Sequence, residues 1–173
     1  MSKQIRLAGI INDSIVDGPG LRLSIFTQGC LLKCPGCHNE KTWDVDGGTI
    51  YNVDDIVNLW RNNPLTQGIT ISGGEPFLQI NSILEIVKSA SKDNVDTIIY
   101  TGYLYEDLVK RNDERIDEIF SLIKYLIDGP FILEKKNLLS LFRGSCNQRI
   151  IDLKETRIQN KIVLMDESNY DKK

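Results

Sequence analysis

Apolar residues recur along the chain with two periods. LRLSIF, residues 21–26, alternates like a strand with one buried face. GITIS (68–72), TIIYT (97–101) and YLID (125–128) are short apolar runs of the kind that form buried strands. Helical stripes lie between them. Val53, Ile56, Val57 and Trp60 follow the i, i+3, i+4, i+7 spacing, as do Ile83, Ile86, Val87 and Ala90, and then Ile116, Ile119, Phe120 and Ile123. The last three strands begin near residues 69, 97 and 125, about 28 residues apart, the length of a strand–helix–strand unit. The pattern predicts an α/β fold of parallel strands joined by helical crossovers. A closed eight-unit barrel takes about 250 residues, so 173 residues predict an incomplete barrel or an open sheet. No linker or repeat divides the chain, which predicts a single domain over residues 1–173. The tail from Asp152 is charged and weakly patterned, and its end, DESNYDKK (166–173), is expected to fray.

Composition narrows the classes. A chain of this length buries roughly 70% of its unfolded surface and needs no disulfides to fold. Its net charge of −3, with 26% charged residues, argues against general binding to nucleic acid or an anionic membrane. No apolar run approaches the ~20 residues of a transmembrane helix. The polar start, MSKQIRLAGIINDS, does not read as a signal peptide. The expected location is therefore the cytoplasm, where thiols stay reduced.

Against that background, Cys30, Cys34 and Cys37 stand out. Three of the four cysteines lie within eight residues, in GCLLKCPGCHN (29–39). In a reducing compartment such a cluster points to metal or redox chemistry. The spacing C-x3-C-x2-C lacks the second pair of a structural zinc site, although a Cys3His zinc site with the neighbouring His38 is one reading. A four-iron cluster is the other. It is normally held by four thiolates, and three leave one iron open to substrate, as an open coordination position does in catalytic metal centres.

The cysteine loop follows a predicted strand, and so do Ser72-Gly73-Gly74-Glu75-Pro76, Thr101-Gly102-Tyr103 and Asp128-Gly129-Pro130. In a parallel sheet the C-terminal strand ends share one edge, where α/β active sites form. Four loops are thus expected to meet at one mouth.

The cysteine spacing at a strand end resembles the signature of radical S-adenosylmethionine enzymes. The longer stretch VDGPGLRLSIFTQGCLLKCPGCHN (16–39), together with SGGEP, is similar to glycyl-radical-enzyme activases. Within that group, the short chain, the absence of a second cysteine cluster, IDGPF (127–131) and FRGSCNQRIIDL (142–153) are most similar to the activases of anaerobic ribonucleoside-triphosphate reductases. The resemblance runs from about Ile11 to Leu153.

The resemblance implies the incomplete (β/α) barrel of the radical S-adenosylmethionine type. It implies one [4Fe-4S] cluster on Cys30, Cys34 and Cys37, with S-adenosylmethionine chelating the fourth iron. Reductive cleavage of that cofactor then yields the radical that takes a hydrogen from a glycine of the partner reductase. No catalytic side chain beyond the cluster and cofactor is implied. Gly73, Gly74 and Glu75 are expected at the methionine amino group. Gly36 stands where many superfamily members carry an aromatic residue, so the backbone at Gly36 and Cys37, with His38, is expected at the adenine. Asp128 is expected at the amino or ribose groups. Thr101, Tyr103, Arg143, Asn147, Gln148 and Arg149 are weaker polar candidates, and Cys146 reads as an incidental thiol. The implied electron donor is a low-potential flavodoxin or ferredoxin. Activases of other glycyl radical enzymes, such as pyruvate formate-lyase, and radical S-adenosylmethionine enzymes with small-molecule substrates are the alternative functions.

Overall fold

The structure is a computed structural model that describes residues 3–169. It contains strands β1 (Gln4–Ser14), β2 (Arg22–Thr27) and β3 (Thr49–Asn52), helix α1 (Val53–Arg61), strand β4 (Gly68–Gly73), helix α2 (Ile80–Lys92) and strand β5 (Asp96–Tyr100). Helices α3 (Tyr105–Val109) and α4 (Glu114–Leu122), strands β6 (Tyr125–Asp128) and β7 (Arg149–Asp152), and helix α5 (Leu153–Gln159) complete it. The strands form one mixed sheet in the order β3-β1-β2-β4-β5-β6-β7.

The four strands expected from the apolar pattern are the four parallel ones: β2 pairs with β4, β4 with β5 and β5 with β6. The expectation of parallel strands alone needs correction at both flanks. β1 is antiparallel to β2 and to β3, and β7 is antiparallel to β6. LRLSIF forms β2, so a strand that the apolar pattern did not predict, β1, precedes it. The tail is also more ordered than its weak pattern suggests. β7 and α5 occupy residues 149–159, with the Asp152 carboxylate accepting the Glu155 N–H at 2.9 Å as a helix cap. Of the stretch expected to fray, residues 166–169 contain a short 3-10 turn at Glu167–Asn169, and Glu167 pairs with Arg143 at 2.7 Å. Residues 170–173 lie outside the described residues.

The predicted helical stripes are the buried faces of α1, α2 and α4, and they pack with Leu23, Ile25, Ile69, Ile71 and Ile99 into one apolar core. Ile123 continues its stripe as a buried residue just past α4. Because side chains alternate along a strand, the opposite face carries Arg22, Ser24, Thr70 and Ser72 next to those apolar positions. Ser24 and Thr70 are fully buried there. Among the described residues no helix is long and apolar enough to cross a membrane.

Arg22, only 1% exposed, organises this polar face. Its guanidinium donates to Thr70 Oγ1 at 2.8 Å, the Pro19 carbonyl at 3.0 Å and the Ile69 carbonyl at 2.7 Å, and it pairs with Asp96 at 2.6 Å. Thr70 in turn donates to the Asp17 carbonyl, and the Asp17 carboxylate accepts from Ser14 and Ser24. The Asp17–Gly20 stretch is thereby fastened against the sheet. Arg22→Met keeps the apolar stem but strips donors from buried acceptors. It is expected to lower stability by about 1–3 kcal/mol, seen as a lower urea midpoint with an unchanged slope.

Candidate functional site

β2, β4, β5 and β6 all end at one edge of the sheet, and their following loops enclose a cavity of about 230 Å³. Cys30, Cys34 and Cys37 line it, with Gly73 and Gly74 at the end of β4, Gly102 after β5 and Gly129 after β6. Four loops distant in sequence thus meet as the parallel register requires.

The cysteine loop is set by β2 and by two contacts behind it. The Gly29 N–H donates to the Thr42 carbonyl at 2.7 Å, and the Cys30 N–H to the Trp43 carbonyl at 3.3 Å. The Cys37 N–H turns back to the Cys34 carbonyl at 3.1 Å, closing the tight Pro35-Gly36 turn. Gly36 has φ near +72°, a conformation other residues rarely adopt, and a Cβ there would press on Leu133 at 2.9 Å. All three thiols are half-buried, whereas Cys146 is exposed. Burial pushes the Cys30 thiol up, the nearby Glu75 and Cys34 acting in the same sense. A bound metal inverts that balance, because a coordinating thiol is deprotonated outright.

The glycines at the end of β4 allow close backbone approach. A Cβ on Gly74 would overlap the Gly29 carbonyl of the cysteine loop. The Gly74 N–H donates to the Thr27 carbonyl at 2.7 Å, and the Glu75 N–H to the Gly29 carbonyl at 2.8 Å. The Glu75 side chain is fully buried and does not line the cavity. Its carboxylate accepts from the Phe77 N–H at 3.1 Å, Thr101 Oγ1 at 2.9 Å and the Gly102 N–H at 2.9 Å. Burial raises its pKa to about 7 in spite of those donors.

Asp128 is likewise fully buried and absent from the cavity wall. Arg149 holds its carboxylate with two nitrogens, and the Tyr105 N–H donates to it at 2.8 Å. The same guanidinium grips Glu106 at 3.0 and 2.8 Å. The structure therefore brings Cys30, Cys34, Cys37, His38, Gly73 and Gly74 around one space, leaves Gly36 off that wall in the turn beside Leu133, and sets Glu75 and Asp128 behind it as braces.

His38 lines the cavity, and its ring meets Phe131 edge-on at 5.2 Å. Of the weaker candidates, Thr101 and Gln148 line the cavity. Arg143 lies in an adjoining groove with Val16, Asp17 and Tyr100. Tyr103 sits beneath the Arg111 guanidinium at 4.2 Å, and Asn147 donates to the Pro130 carbonyl at 2.8 Å. Sequence reasoning passed over Phe131 and Trp43, both on the wall. Neither sits in a repeated pattern, and only the fold brings them to the thiols.

The donor set fits a four-iron cluster. Three thiols share one cavity with close-approaching glycine backbone, and the fourth side has no further thiol, since Cys146 does not line it. A Cys3His zinc site gathers four donors around one ion. Among the described residues no three His, Cys, Asp or Glu side chains converge in that way.

Comparison with known proteins bears on the same residues. A family model described as a 4Fe-4S single cluster domain matches residues 16–151. The chain is 35% identical over 148 residues to the anaerobic ribonucleoside-triphosphate reductase-activating protein of Escherichia coli (strain K12), covering 81% of this chain and 94% of that protein. It is 33% identical over 144 residues to the protein of the same name from Enterobacteria phage T4, covering 78% and 86%. It is also 37% identical over 112 residues to the pyruvate formate-lyase 1-activating enzyme of Escherichia coli (strain K12), covering 62% of this chain and 44% of that protein.

Glu106 offers a pH test of the bracing network. The Arg149 hydrogen bonds hold its carboxyl down at about 2, from an ordinary value of 4.5. A depressed acid stabilises the fold fully above its unfolded pKa, and loses that contribution as pH falls through the folded one. Glu106→Gln is expected to flatten the fall in stability between about pH 4.5 and 2, measured as urea midpoint against pH in the cluster-free protein.

Proposed function

The chain belongs to the family of anaerobic ribonucleoside-triphosphate reductase-activating proteins, with a 4Fe-4S single cluster domain, and from that premise we infer that it activates such a reductase. It does so by reductively cleaving S-adenosylmethionine at its [4Fe-4S] cluster and generating a glycyl radical on the reductase. The observation that carries this reading is the meeting of Cys30, Cys34 and Cys37 with the Gly73-Gly74 strand end on one cavity.

When bound, the cluster and S-adenosylmethionine supply a one-electron cleavage and the radical that removes a glycine hydrogen. The protein binds and orients. Cys30, Cys34 and Cys37 hold three irons and leave the fourth for the cofactor. The Gly73 and Gly74 backbone forms the wall for the methionine end, which their missing side chains let approach closely. Glu75 acts from behind by locking that wall to the cysteine loop and to the loop after β5. His38, steadied by Phe131, and the backbone of Gly36 and Cys37 form the adenine side. Asp128 acts through Arg149 and Tyr105, fixing the strand end from which Gly129 reaches the cavity.

The finer architecture follows the same reading. β2, β4, β5 and β6, with helices on one face, form the partial barrel of the superfamily, within one domain. Val16 and Asp17 line the groove beside the cavity, where the partner's glycine segment enters. A low-potential flavodoxin or ferredoxin supplies the electron.

The test is anaerobic. The reconstituted protein is reduced, mixed with S-adenosylmethionine and assayed for 5′-deoxyadenosine, then for a glycyl radical in an anaerobic ribonucleoside-triphosphate reductase. Wild type is expected to give both, and Cys34→Ala to lose at least about 100-fold of each, since losing a ligand exceeds the roughly 10–100-fold cost of losing a partner behind one. 5′-Deoxyadenosine release from a fully loaded protein without any glycyl radical in the reductase counts against the partner. No release at all counts against the chemistry.

A further inference from the structure

Trp43 lines the cavity together with Cys30, Cys34 and Cys37. Its indole Nε1 is buried and has no hydrogen-bond partner among the described residues. Buried donors without acceptors are rare in native proteins, and each one needs a physical reason. The other tryptophan differs: Trp60 Nε1 donates to Asp93 at 2.9 Å.

The segment carrying Trp43 is firmly held. Its backbone carbonyl accepts from the Cys30 N–H, and that of Thr42 from the Gly29 N–H. Gln28 Nε2 donates to the carbonyls of Lys41 at 3.0 Å and Asp44 at 2.7 Å. The residues just before the first thiol are therefore stitched to the residues on either side of the indole. The same stretch already brings one N–H to a thiol, since the Asn39 N–H lies 3.4 Å from Cys37 Sγ.

We propose that the Trp43 indole N–H donates a hydrogen bond to a sulfur of the [4Fe-4S] cluster, either a sulfide or a cysteine Sγ, and so raises the reduction potential of the cluster. The inference rests on the functional reading above. Its physics is direct. Reduction adds one negative charge, which spreads onto the sulfurs, and a fixed donor stabilises the reduced state more than the oxidised one. The attachment of Trp43 to Cys30 favours the cluster over the nucleoside end of the cofactor as acceptor. Trp43 is a tuning residue, setting how readily the electron enters.

The reconstituted full-length protein, carrying tryptophan labelled at the indole nitrogen, tests this before any activity assay. Iron and sulfide analysis comes first. The reduced cluster is then examined by pulsed electron paramagnetic resonance, with and without S-adenosylmethionine, and its midpoint potential is measured. The expected result is a labelled-nitrogen coupling in the wild type without added cofactor, and its loss in Trp43→Phe. The potential of the variant is expected to fall by about tenfold in the one-electron equilibrium constant, or about 59 mV. If Trp43→Phe does not load, the wild-type coupling decides alone. A loaded wild type that lacks the coupling, or that shows it only after cofactor addition, overturns the assignment. A loaded variant with unchanged potential also overturns it. A chain that binds no cluster overturns the functional reading first and this inference with it, whereas a loaded, cofactor-cleaving protein without the coupling leaves the functional reading intact.

Discussion

The Glu75 carboxylate ties the site together. One oxygen accepts from the Phe77 N–H of its own loop, and Thr101 and Gly102 bring donors from the loop after β5. Its backbone N–H reaches back to Gly29, immediately before Cys30. A buried acid surrounded by donors is costly to disturb, because each freed N–H would lose its partner away from water. Three strand ends therefore keep fixed spacing, and the cavity between them keeps its dimensions. The glycines beside Glu75 are the complement of that tie, since the loops can come this close only where side chains are absent.

The two faces of the sheet divide the labour. On one, helices α1, α2 and α4 bury Ile and Val against β2, β4 and β5, which supplies the driving force for folding. On the other, Arg22, Thr70 and Asp17 replace apolar packing with hydrogen bonds over β2 and β4, whereas β5, β6 and β7 bury a second apolar cluster of Ile98, Tyr125, Ile127 and Ile150 with Met165. Asp17 carries that buried network to the groove along Val16, Tyr100 and Arg143.

Much of this was legible in the sequence for a physical reason. Strands buried on both sides carry dense apolar runs, and crossover helices carry clean stripes, so β4, β5, β6 and their helices could be read directly. The loops that follow those strands then had to share an edge. The flanking strands left a weaker trace. β1 buries Ile5 and Leu7 but then runs through exposed Ile11, Asn12 and Asp13, β3 has no fully buried residue, and β7 offers only Ile150 and Ile151 between partly exposed polar residues. The three cysteines and paired glycines were readable because their spacing is local. The inward turn of Glu75 and the grip of Arg149 on Asp128 were not, because both depend on donors that arrive from other loops. A carboxylate at a strand end looks the same in sequence whether it faces a ligand or a neighbour.

Leu133 packs against Gly36 of the cysteine turn, and the space a side chain at 36 would need is filled by the leucine. The two positions lie almost a hundred residues apart in sequence, yet neither can enlarge unless the other recedes. The cysteine turn and the segment after β6 are therefore matched halves. A turn transplanted from a relative with a bulky residue before its last cysteine would arrive without its counterpart, so inheritance at this site is by pairs of segments rather than by motif.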